Sequence, residues 1–386
     1  MSVNRLQKGD YIICFAVFIQ PVLILMQHVL IDVFRVDPDT TTTYRVVLTA
    51  IPMIVAIGVG AYRRFVRFAV VYIIAFLVLL STCLFFPDNE TYVRHDGIRF
   101  LVPLIIPSAV CLTTVNHIEI VKKSLGYIAW LGAFVVLIYT FSYFAGLFVI
   151  DSYNMSFSYG CLLPMIILYS QRRVFSTLMS FFLFVVVLAI GSRGGAYIYV
   201  AYLIIDALVN RRKGWWLMLV LGGISVLFIP FLMTFLVNKG INSRTLGMIN
   251  SGDIIYGSGR ENIYITCINA LSEHPITGCG LFGDRVLLDG AYCHNFFLEI
   301  GLDFGLLFGG AIILVLAICF VRSWTISKGD YRDLLLVITF GCFMPFLASG
   351  SYLVSNSIAL WIGIMLLIIK YGNLDFHSYI NKLIHR

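Results

Sequence analysis

Charged residues are scarce in this sequence. Asp, Glu, Lys and Arg make up 12% of its 386 residues, whereas soluble domains carry about 25%. Hydrophobic residues make up 60%, which leaves too few polar side chains to cover a soluble protein of this length. The composition therefore excludes a soluble enzyme or a soluble binding module, and it favours an integral membrane protein.

The chain also lacks a low-complexity tract, a clear internal repeat and a second soluble domain. Apolar runs follow one another instead, most of them close to the ~20 residues that a helix needs to cross ~30 Å of hydrocarbon. Such runs are too long for barrel strands, so they are expected to be helices. We therefore predict an all-α fold, a polytopic transmembrane helical bundle that forms one integral membrane domain over residues 1–386. The twelve predicted spans are 11–31, 44–62, 66–86, 98–118, 125–150, 155–170, 174–190, 196–209, 215–236, 295–321, 333–350 and 353–370.

Basic residues are distributed unevenly over the connections between these spans. The first apolar run, residues 11–31, lacks the small-residue cleavage site of a signal peptide, so it is expected to remain as the first membrane helix. Basic pairs such as Arg63 with Arg64 recur on alternate connections, and the positive-inside rule places those connections and both termini in the cytoplasm. Of the 27 basic residues, nine then lie outside and the remaining 18 inside. The outer nine are Arg35, Arg45, Arg94, Arg99, Arg193, Lys239, Arg244, Arg260 and Arg285. The net charge of +7 therefore reflects topology and gives no evidence for nucleic-acid binding.

One outer connection, residues 237–294 between spans nine and ten, is far longer than the others. A loop of that length is expected to have structure of its own. Ser258 and Glu261 have the spacing of a capping box, which predicts a short amphipathic helix that starts there. The residues predicted to share one face of this helix are Tyr264, Cys267, Ile268 and Leu271.

The nine cysteines carry little information about redox state. Six of them lie in apolar runs, where a cysteine acts as a small hydrophobic residue. Cys267, Cys279 and Cys293 fall in the long loop, and their odd number and irregular spacing fit no zinc site. One disulfide among these three cysteines is an alternative that stays open if the loop faces an oxidising compartment. We predict no metal site.

Two of the outer arginines stand in unusual settings. Arg193 lies in Gly191-Ser192-Arg193-Gly194-Gly195, where the glycines leave amide groups that are able to cradle an anion. The alternative is an arginine that extends to the lipid headgroups. Arg260 lies in the first turn of the predicted loop helix, where a cation opposes the helix dipole. The alternative there is an ordinary exposed arginine.

The outer mouth of span ten carries several polar residues. His294 and Asn295 end the long loop, and Glu299 and Asp303 enter the span. Ionisable groups at membrane depth are functional candidates. For His294 the alternative is a capping or interfacial histidine, and the glycine-rich segment 274–280 is either a binding loop or a tight path over the surface.

These segments, in this order, resemble the bacterial O-antigen polymerase and O-antigen ligase superfamily of membrane glycosyltransferases. The resemblance is strongest over residues 190–310. Each motif is weak alone, but four motifs in order around one large outer loop are specific enough to name the superfamily. The matching segments are Ser192-Arg193-Gly194, Gly257-Ser258-Gly259-Arg260, His274-Pro275-Ile276-Thr277-Gly278-Cys279-Gly280, and His294-Asn295-Phe296-Phe297-Leu298-Glu299 followed by Gly305.

The resemblance implies a GT-C-like helical bundle at the periplasmic face of the bacterial inner membrane. Such enzymes take a glycan from undecaprenyl diphosphate, invert the anomeric carbon, and need no nucleotide sugar, metal or cofactor. The matching positions assign diphosphate binding to Arg193 and Arg260 and place His294 at the reaction centre. Further candidates for contact with the diphosphate or the glycan are Arg244, Arg285, Asn295, Glu299 and Tyr264.

The residue chemistry fits that assignment. Fixed guanidinium groups stabilise the charge that grows on a departing diphosphate, and arginine matches phosphate through bidentate hydrogen bonds. His294 is suited either to removing the acceptor proton or to donating to the diphosphate, and Glu299 is a second candidate base. The predicted site is a cleft between the turn at Arg193, the loop helix that starts near Arg260, and the mouth of span ten.

Three functions compete for this sequence. A polymerase transfers the glycan onto a lipid-linked repeat unit, whereas a ligase transfers it onto the lipid A core. A transporter or flippase predicts discontinuous helices at mid-bilayer, but here the polar candidates cluster at the outer mouth. We expect a polymerase whose partners are the lipid-linked oligosaccharide and membrane lipid, with a chain-length regulator protein as a further candidate.

Overall fold

The structure is a computed structural model that describes residues 3–148, 155–190, 193–210 and 260–384. Within these ranges the chain consists of helices and turns, and it contains no strand. The α-helices are Val3–Phe18, Gln20–His28, Pro38–Phe85, Glu90–Tyr92, Ile106–Thr113, Ile118–Phe144, Met155–Ser170, Val174–Ile190, Arg193–Val209, Glu261–Glu273, Gly283–Leu287, Phe296–Ile326, Asp330–Ile338, Pro345–Ala348 and Ser357–Ile384. Three π-helical segments (Val29–Val33, Val93–Ile105 and Thr339–Phe343) and one 3-10 turn (Pro87–Asn89) continue or precede these helices.

Five helices of the described ranges are long and apolar enough to cross a membrane. They are Pro38–Phe85, Pro87–Thr113, Ile118–Phe144, Phe296–Ile326 and Asp330–Ala348. A pair bent by 43°, Leu6–Phe18 with Gln20–Val33, adds a sixth if it counts as one span. The expected all-α, multi-pass membrane fold is thereby confirmed. The count of twelve spans stays a prediction, and span 215–236 lies outside the described residues.

The longest helix, Pro38–Phe85, turns back on itself at Arg64. Arg64 has φ −149° and ψ 56°, which no α-helix accommodates. The Phe68 ring also lies against Gly60, although eight residues of straight helix would separate these positions by ~12 Å. The break falls between the predicted spans 44–62 and 66–86.

The chain divides into two compact units. The first contains Met1–Phe18, Thr49–Lys122 and Ser258–Arg386. Within it, helix Ser357–Ile384 packs against Ile106–Thr113 and against Phe296–Ile326.

The second unit contains Ile19–Leu48 and Lys123–Gly257. Helix Met155–Ser170 lies at its centre and is buried on nearly all sides, as expected for a helix that is apolar all round. Its neighbours are Gln20–His28, Val174–Ile190 and Arg193–Val209.

Candidate functional site

The described part of the long loop begins with the amphipathic helix Glu261–Glu273, here called the loop helix. Arg260 is its N-cap residue, with φ −90° and ψ −8°. The side chain of Arg260 does not cap the first amides of the helix. Ser258, which the capping box predicted as the capping residue, lies outside the described residues. The Arg260 guanidinium donates instead to the carbonyl oxygen of Ala348. Arg260 is thus held at the start of the loop helix by a residue distant in the chain.

The loop helix is amphipathic, and one of its sides is buried. Cys267 and Ala270 are buried, and they pack with Cys293 and Leu302. Of the four residues predicted to share one face, Tyr264, Ile268 and Leu271 line one groove, and Ile268 is 53% exposed there. Cys267 lies at the edge of that face and is buried.

That groove runs between the loop helix and helix Phe296–Ile326, here called the long helix. Its volume is about 520 Å³. The glycines of the long helix leave the space that forms the groove floor, and the walls are mostly apolar. The lining residues are Tyr264, Ile268, Leu271, Asn295, Phe297, Leu298, Gly301, Gly305, Leu306, Gly309, Gly310 and Ile313.

The glycine-rich segment 274–280 fits into a break in the long helix. Gly305 interrupts that helix with φ 73° and ψ 175°, and the break exposes backbone groups on either side of it. The Leu302 carbonyl accepts from the Cys279 amide at 2.5 Å, and the Leu306 amide donates to the Pro275 carbonyl at 2.7 Å. A Cβ at Gly305 or at Gly278 would run into the backbone of the other segment. The segment therefore fastens the loop helix to the long helix.

His294 stands just before the long helix in a left-handed backbone conformation with φ 58°, which is uncommon for a residue with a side chain. Its Nδ1 lies 3.3 Å from the Ser349 hydroxyl, and its ring is 4.2 Å from that of Tyr292, centre to centre. Burial, followed by the positive charges of Arg260 and Arg285, lowers the pKa of His294 to about 4. The imidazole is therefore neutral at neutral pH and has a nitrogen that is able to accept a proton.

Asn295 caps the long helix. Its side-chain oxygen accepts from the amides of Phe297 and Leu298, each at 3.1 Å. An N-cap of this kind fixes where a helix begins. Asn295 thereby fixes the backbone next to His294 and also lines the groove.

Arg285 lies at the centre of a buried polar cluster, here called the Arg285 cluster, with Asp284, Glu299 and Ser351. Its Nη1 is 2.5 Å from Asp284 Oδ1 and 2.8 Å from Glu299 Oε1, and its Nη2 donates to the Ser351 hydroxyl. Burial lowers the pKa of Arg285, but the two carboxylates outweigh that effect, so the pKa lies above its usual value. Arg285 is only 2% exposed, and its charge is directed at these carboxylates.

Glu299 is equally enclosed. One carboxylate oxygen accepts from Arg285 and from the Ser351 hydroxyl, and the other accepts from the Tyr352 amide at 3.3 Å. The Tyr352 hydroxyl donates to Asp303 one turn further along the long helix. Glu299 and Asp303 therefore hold residues 351 and 352 in place.

Residues 349–356, here called the polar loop, form the part of the site that the sequence did not predict. Through Ser349, Ser351 and Tyr352 this loop reaches His294, the Arg285 cluster and Asp303, and Arg260 bonds to the residue just before it. The predicted connection between spans eleven and twelve contained only residues 351 and 352. The signal that could have found it is the polar run Ser349-Gly350-Ser351-Tyr352 between two apolar runs.

Arg193 belongs to the second compact unit, where it is the first residue of helix Arg193–Val209. That helix starts close to its neighbour, because Gly195 packs against Ser158. The place of Arg193 relative to Arg260 and His294 stays a prediction. Arg244, a further candidate from the sequence, lies outside the described residues.

Of the described residues, no group of three or more His, Cys, Asp and Glu side chains is arranged to hold a metal ion.

Comparison with known proteins gives one family match. Residues 178–315 match the model of the family described as O-antigen ligase, which confirms the resemblance to the O-antigen ligase and polymerase superfamily over that part of the chain. The matched range includes Arg193, Arg260 and His294. No curated protein and no solved structure matches the chain.

Proposed function

We propose that this multi-pass membrane protein is an O-antigen polymerase, or a polymerase of a related surface polysaccharide. It transfers a glycan from undecaprenyl diphosphate onto a lipid-linked repeat unit, with inversion and without a metal. The proposal places the protein in the bacterial inner membrane, with both termini in the cytoplasm and the site at the periplasmic face.

One observation carries the proposal, namely that a fixed guanidinium and a neutral imidazole meet at neighbouring residues. Arg260 bonds to the Ala348 carbonyl, and His294 approaches the hydroxyl of Ser349, the next residue in the chain. A cation beside a proton acceptor is what glycosyl transfer from a diphosphate needs, because one group stabilises the leaving group while the other activates the acceptor.

In the proposed reaction the acceptor hydroxyl attacks the anomeric carbon of the lipid-linked glycan. The new carbon–oxygen bond forms as the bond to the diphosphate breaks, and the electron pair leaves with the diphosphate. His294 removes the hydroxyl proton, and Arg260 stabilises the diphosphate charge. Arg193 is assigned to the same diphosphate by the resemblance alone. Asn295 and Glu299 act as positioning residues.

The groove between the loop helix and the long helix supports a lipid-linked donor. It is mostly apolar, and it begins beside Asn295, the residue after His294. A polyprenyl chain that enters there keeps its hydrocarbon in apolar surroundings while its diphosphate stays near Arg260. Tyr264 lines the groove from the loop helix and would contact the chain.

A second candidate function is the ligase, because the matching family is described as O-antigen ligase. The two enzymes share the donor and the chemistry but differ in the acceptor. A chain-length regulator as partner stays a prediction that applies to the polymerase alone.

The test replaces Arg193, Arg260 and His294 separately by alanine and measures the length of surface glycan in cells that lack the wild-type gene. Loss of a polymerase leaves a single repeat unit on the lipid A core, and loss of a ligase leaves bare core with lipid-linked polymer behind it. Arg94→Ala is the matched control, since this arginine is also predicted outside but its side chain is 75% exposed. Normal glycan in all three well-expressed variants would refute the site.

A further inference from the structure

Three cysteines of the long loop come together in the folded chain. Cys267 of the loop helix and Cys293, next to His294, are both 0% exposed and belong to one packed cluster. The two thiols lie near enough to shift each other's pKa, and the Cys293 thiol donates to the Asn295 carbonyl at 3.3 Å. Cys279 packs at the edge of the same cluster and is only partly buried. The chain therefore brings two sulfur atoms together from positions 26 residues apart.

We propose that Cys267 and Cys293 are a modification site and form a disulfide in the mature protein. This rests on the proposed function, because the bond needs a loop that faces an oxidising compartment. The two thiols lose two electrons and two protons to the disulfide of a thiol oxidase, or to a small-molecule disulfide, which becomes two thiols. The sulfurs then approach from packing contact to about 2.05 Å.

Either thiol, as its thiolate, is able to attack the donor disulfide, and the other cysteine then displaces the donor. Because both cysteines are 0% exposed in the folded chain, this exchange precedes the packing of the loop helix against the long helix.

The position of the bond gives it a consequence for the site. Cys267 lies two helical turns after Arg260, and Cys293 immediately precedes His294. A disulfide between them joins the two segments that carry the proposed cation and the proposed base. It also encloses segment 274–280, which already bonds to the long helix through the Cys279 and Leu306 amides.

The covalent state is measured on the full chain in native membranes. Free thiols are blocked with N-ethylmaleimide in SDS, the protein is then reduced, and newly freed thiols are coupled to a 5-kDa maleimide polymer. The wild type is expected to gain two labels, so that seven of the nine cysteines were blocked beforehand. Cys267→Ser and Cys293→Ser are each expected to gain none, and Cys279→Ser, the matched control, is expected to gain two.

Two results overturn the proposal. One is a wild type that gains no label after reduction, and the other is a Cys267→Ser variant that still gains two. If a serine variant does not accumulate, peptide mapping of the wild type decides instead. A linked peptide that contains Cys267 and Cys293 before reduction supports the bond, and its absence refutes it.

The experiment separates this proposal from the proposed function. Ser272 is exposed on the loop helix, so a Ser272→Cys variant reports which side that helix faces through a membrane-impermeant maleimide. Labelling from outside together with free thiols at 267 and 293 refutes the disulfide alone. Failure to label from outside refutes both the orientation and the disulfide. A disulfide found in a chain whose Arg260→Ala and His294→Ala variants make normal glycan supports the bond and refutes the proposed function.

Discussion

Two buried arginines, Arg63 and Arg285, each organise a polar cluster, and the clusters lie at opposite ends of one membrane span, Pro87–Thr113. Arg63 donates to the carbonyl of Thr114, just after this span ends. At the other end, Asn89 donates to the carbonyls of Cys279 and Leu281, shortly before Arg285 in the chain. The two clusters differ in the number of carboxylates that each arginine contacts.

The Arg63 cluster is balanced. Asp10 is 0% exposed, and it accepts from Arg63 at 2.5 Å, from His117 Nδ1 at 2.7 Å and from the Asn116 amide at 3.2 Å. Arg63 also donates to the carbonyls of Leu6 and Thr114, and its Nε has no partner among the described residues. One positive charge therefore meets one carboxylate.

The Arg285 cluster is not balanced. Arg285 meets the two carboxylates of Asp284 and Glu299, and Asp303 adds a third carboxylate through Tyr352. The charges that act on His294 are nevertheless the positive ones of Arg260 and Arg285. The comparison shows that burial of an arginine does not by itself distinguish the two clusters, whereas the number of carboxylates around it and the imidazole nearby do.

The largest expected effect comes from removal of either arginine. Breaking a buried ion pair costs about 3–5 kcal/mol of unfolding free energy. Arg285→Met is expected near the top of that range, because two carboxylates lose their partner. Arg63→Met is expected near the bottom, because Asp10 keeps His117 and the Asn116 amide. Unfolding in mixed detergent and SDS measures both, with Arg94→Met as the exposed control, and a larger loss for Arg63→Met would contradict the comparison.

The next largest loss of stability is expected from substitutions that disturb the region around the Arg285 cluster without a change of charge. Gly278→Ala and Gly305→Ala each place a Cβ against backbone at positive φ, and each is expected to lower the unfolding free energy by about 2 kcal/mol or more. Gly310→Ala is the matched control, because a Cβ at Gly310 meets no atom within 4 Å. Equal stability of the three variants would mean that the long helix does not break at Gly305.

A smaller effect is expected from Ser351→Ala. The Ser351 hydroxyl bridges Arg285 and Glu299, and loss of such a hydrogen bond costs about 1 kcal/mol. Ser355→Ala in the same polar loop removes a hydroxyl that accepts one long hydrogen bond, from the Ser357 amide at 3.4 Å, so it is expected to cost less. The same unfolding measurement ranks the two, and a reversed order would show that the Ser351 bridge is dispensable.

The smallest expected effect concerns pH. Because the pKa of His294 is about 4, kcat/KM for glycan transfer is expected to stay nearly flat from pH 7.5 to 5.5 and to fall only toward pH 4. Arg260→Gln removes a positive neighbour and is expected to move this acid limb to higher pH, whereas His117→Asn leaves it unchanged. An acid limb near pH 6.5 in the wild type would exclude His294 as the base.

Stability has a pH dependence of the same sign. The folded chain leaves His294 unprotonated between its ordinary pKa of 6.5 and about 4, whereas the unfolded chain binds that proton. The contribution of His294 therefore lowers stability as the pH falls through this window and makes no difference above it. His294→Asn is expected to remove that part of the pH dependence.

Local patterns in the sequence predicted the helices well. The apolar runs indicated the multi-pass helical fold, the basic pair at 63–64 marked the break at Arg64, and the predicted start of span ten at residue 295 is one residue from the observed Phe296. Each of these features depends on residues close together in the chain, and hydropathy and charge record them directly.

The arrangement of the site was beyond such patterns. Ser351 lies 66 residues from Arg285 and 52 from Glu299, so no periodicity connects them. Hydropathy is averaged over neighbouring residues, so most of the polar loop was assigned to the apolar spans on either side of it. Arg285 was predicted to contact substrate as one of the outer arginines, and Glu299 as an ionisable group at membrane depth. Their charge is also met by partners that only the folded chain brings near.

The break at Gly305 has a consequence for how this sequence can diverge. Gly278 and Gly305 each occupy space that a side chain of the other would need, and the bonds between their segments involve only backbone atoms. The identities of the flanking side chains can therefore vary between homologous chains, while the two glycines constrain each other. In homologous chains we expect glycine at both positions or, where the helix runs unbroken, at neither, and a set of homologues that keeps only one of them would contradict this coupling.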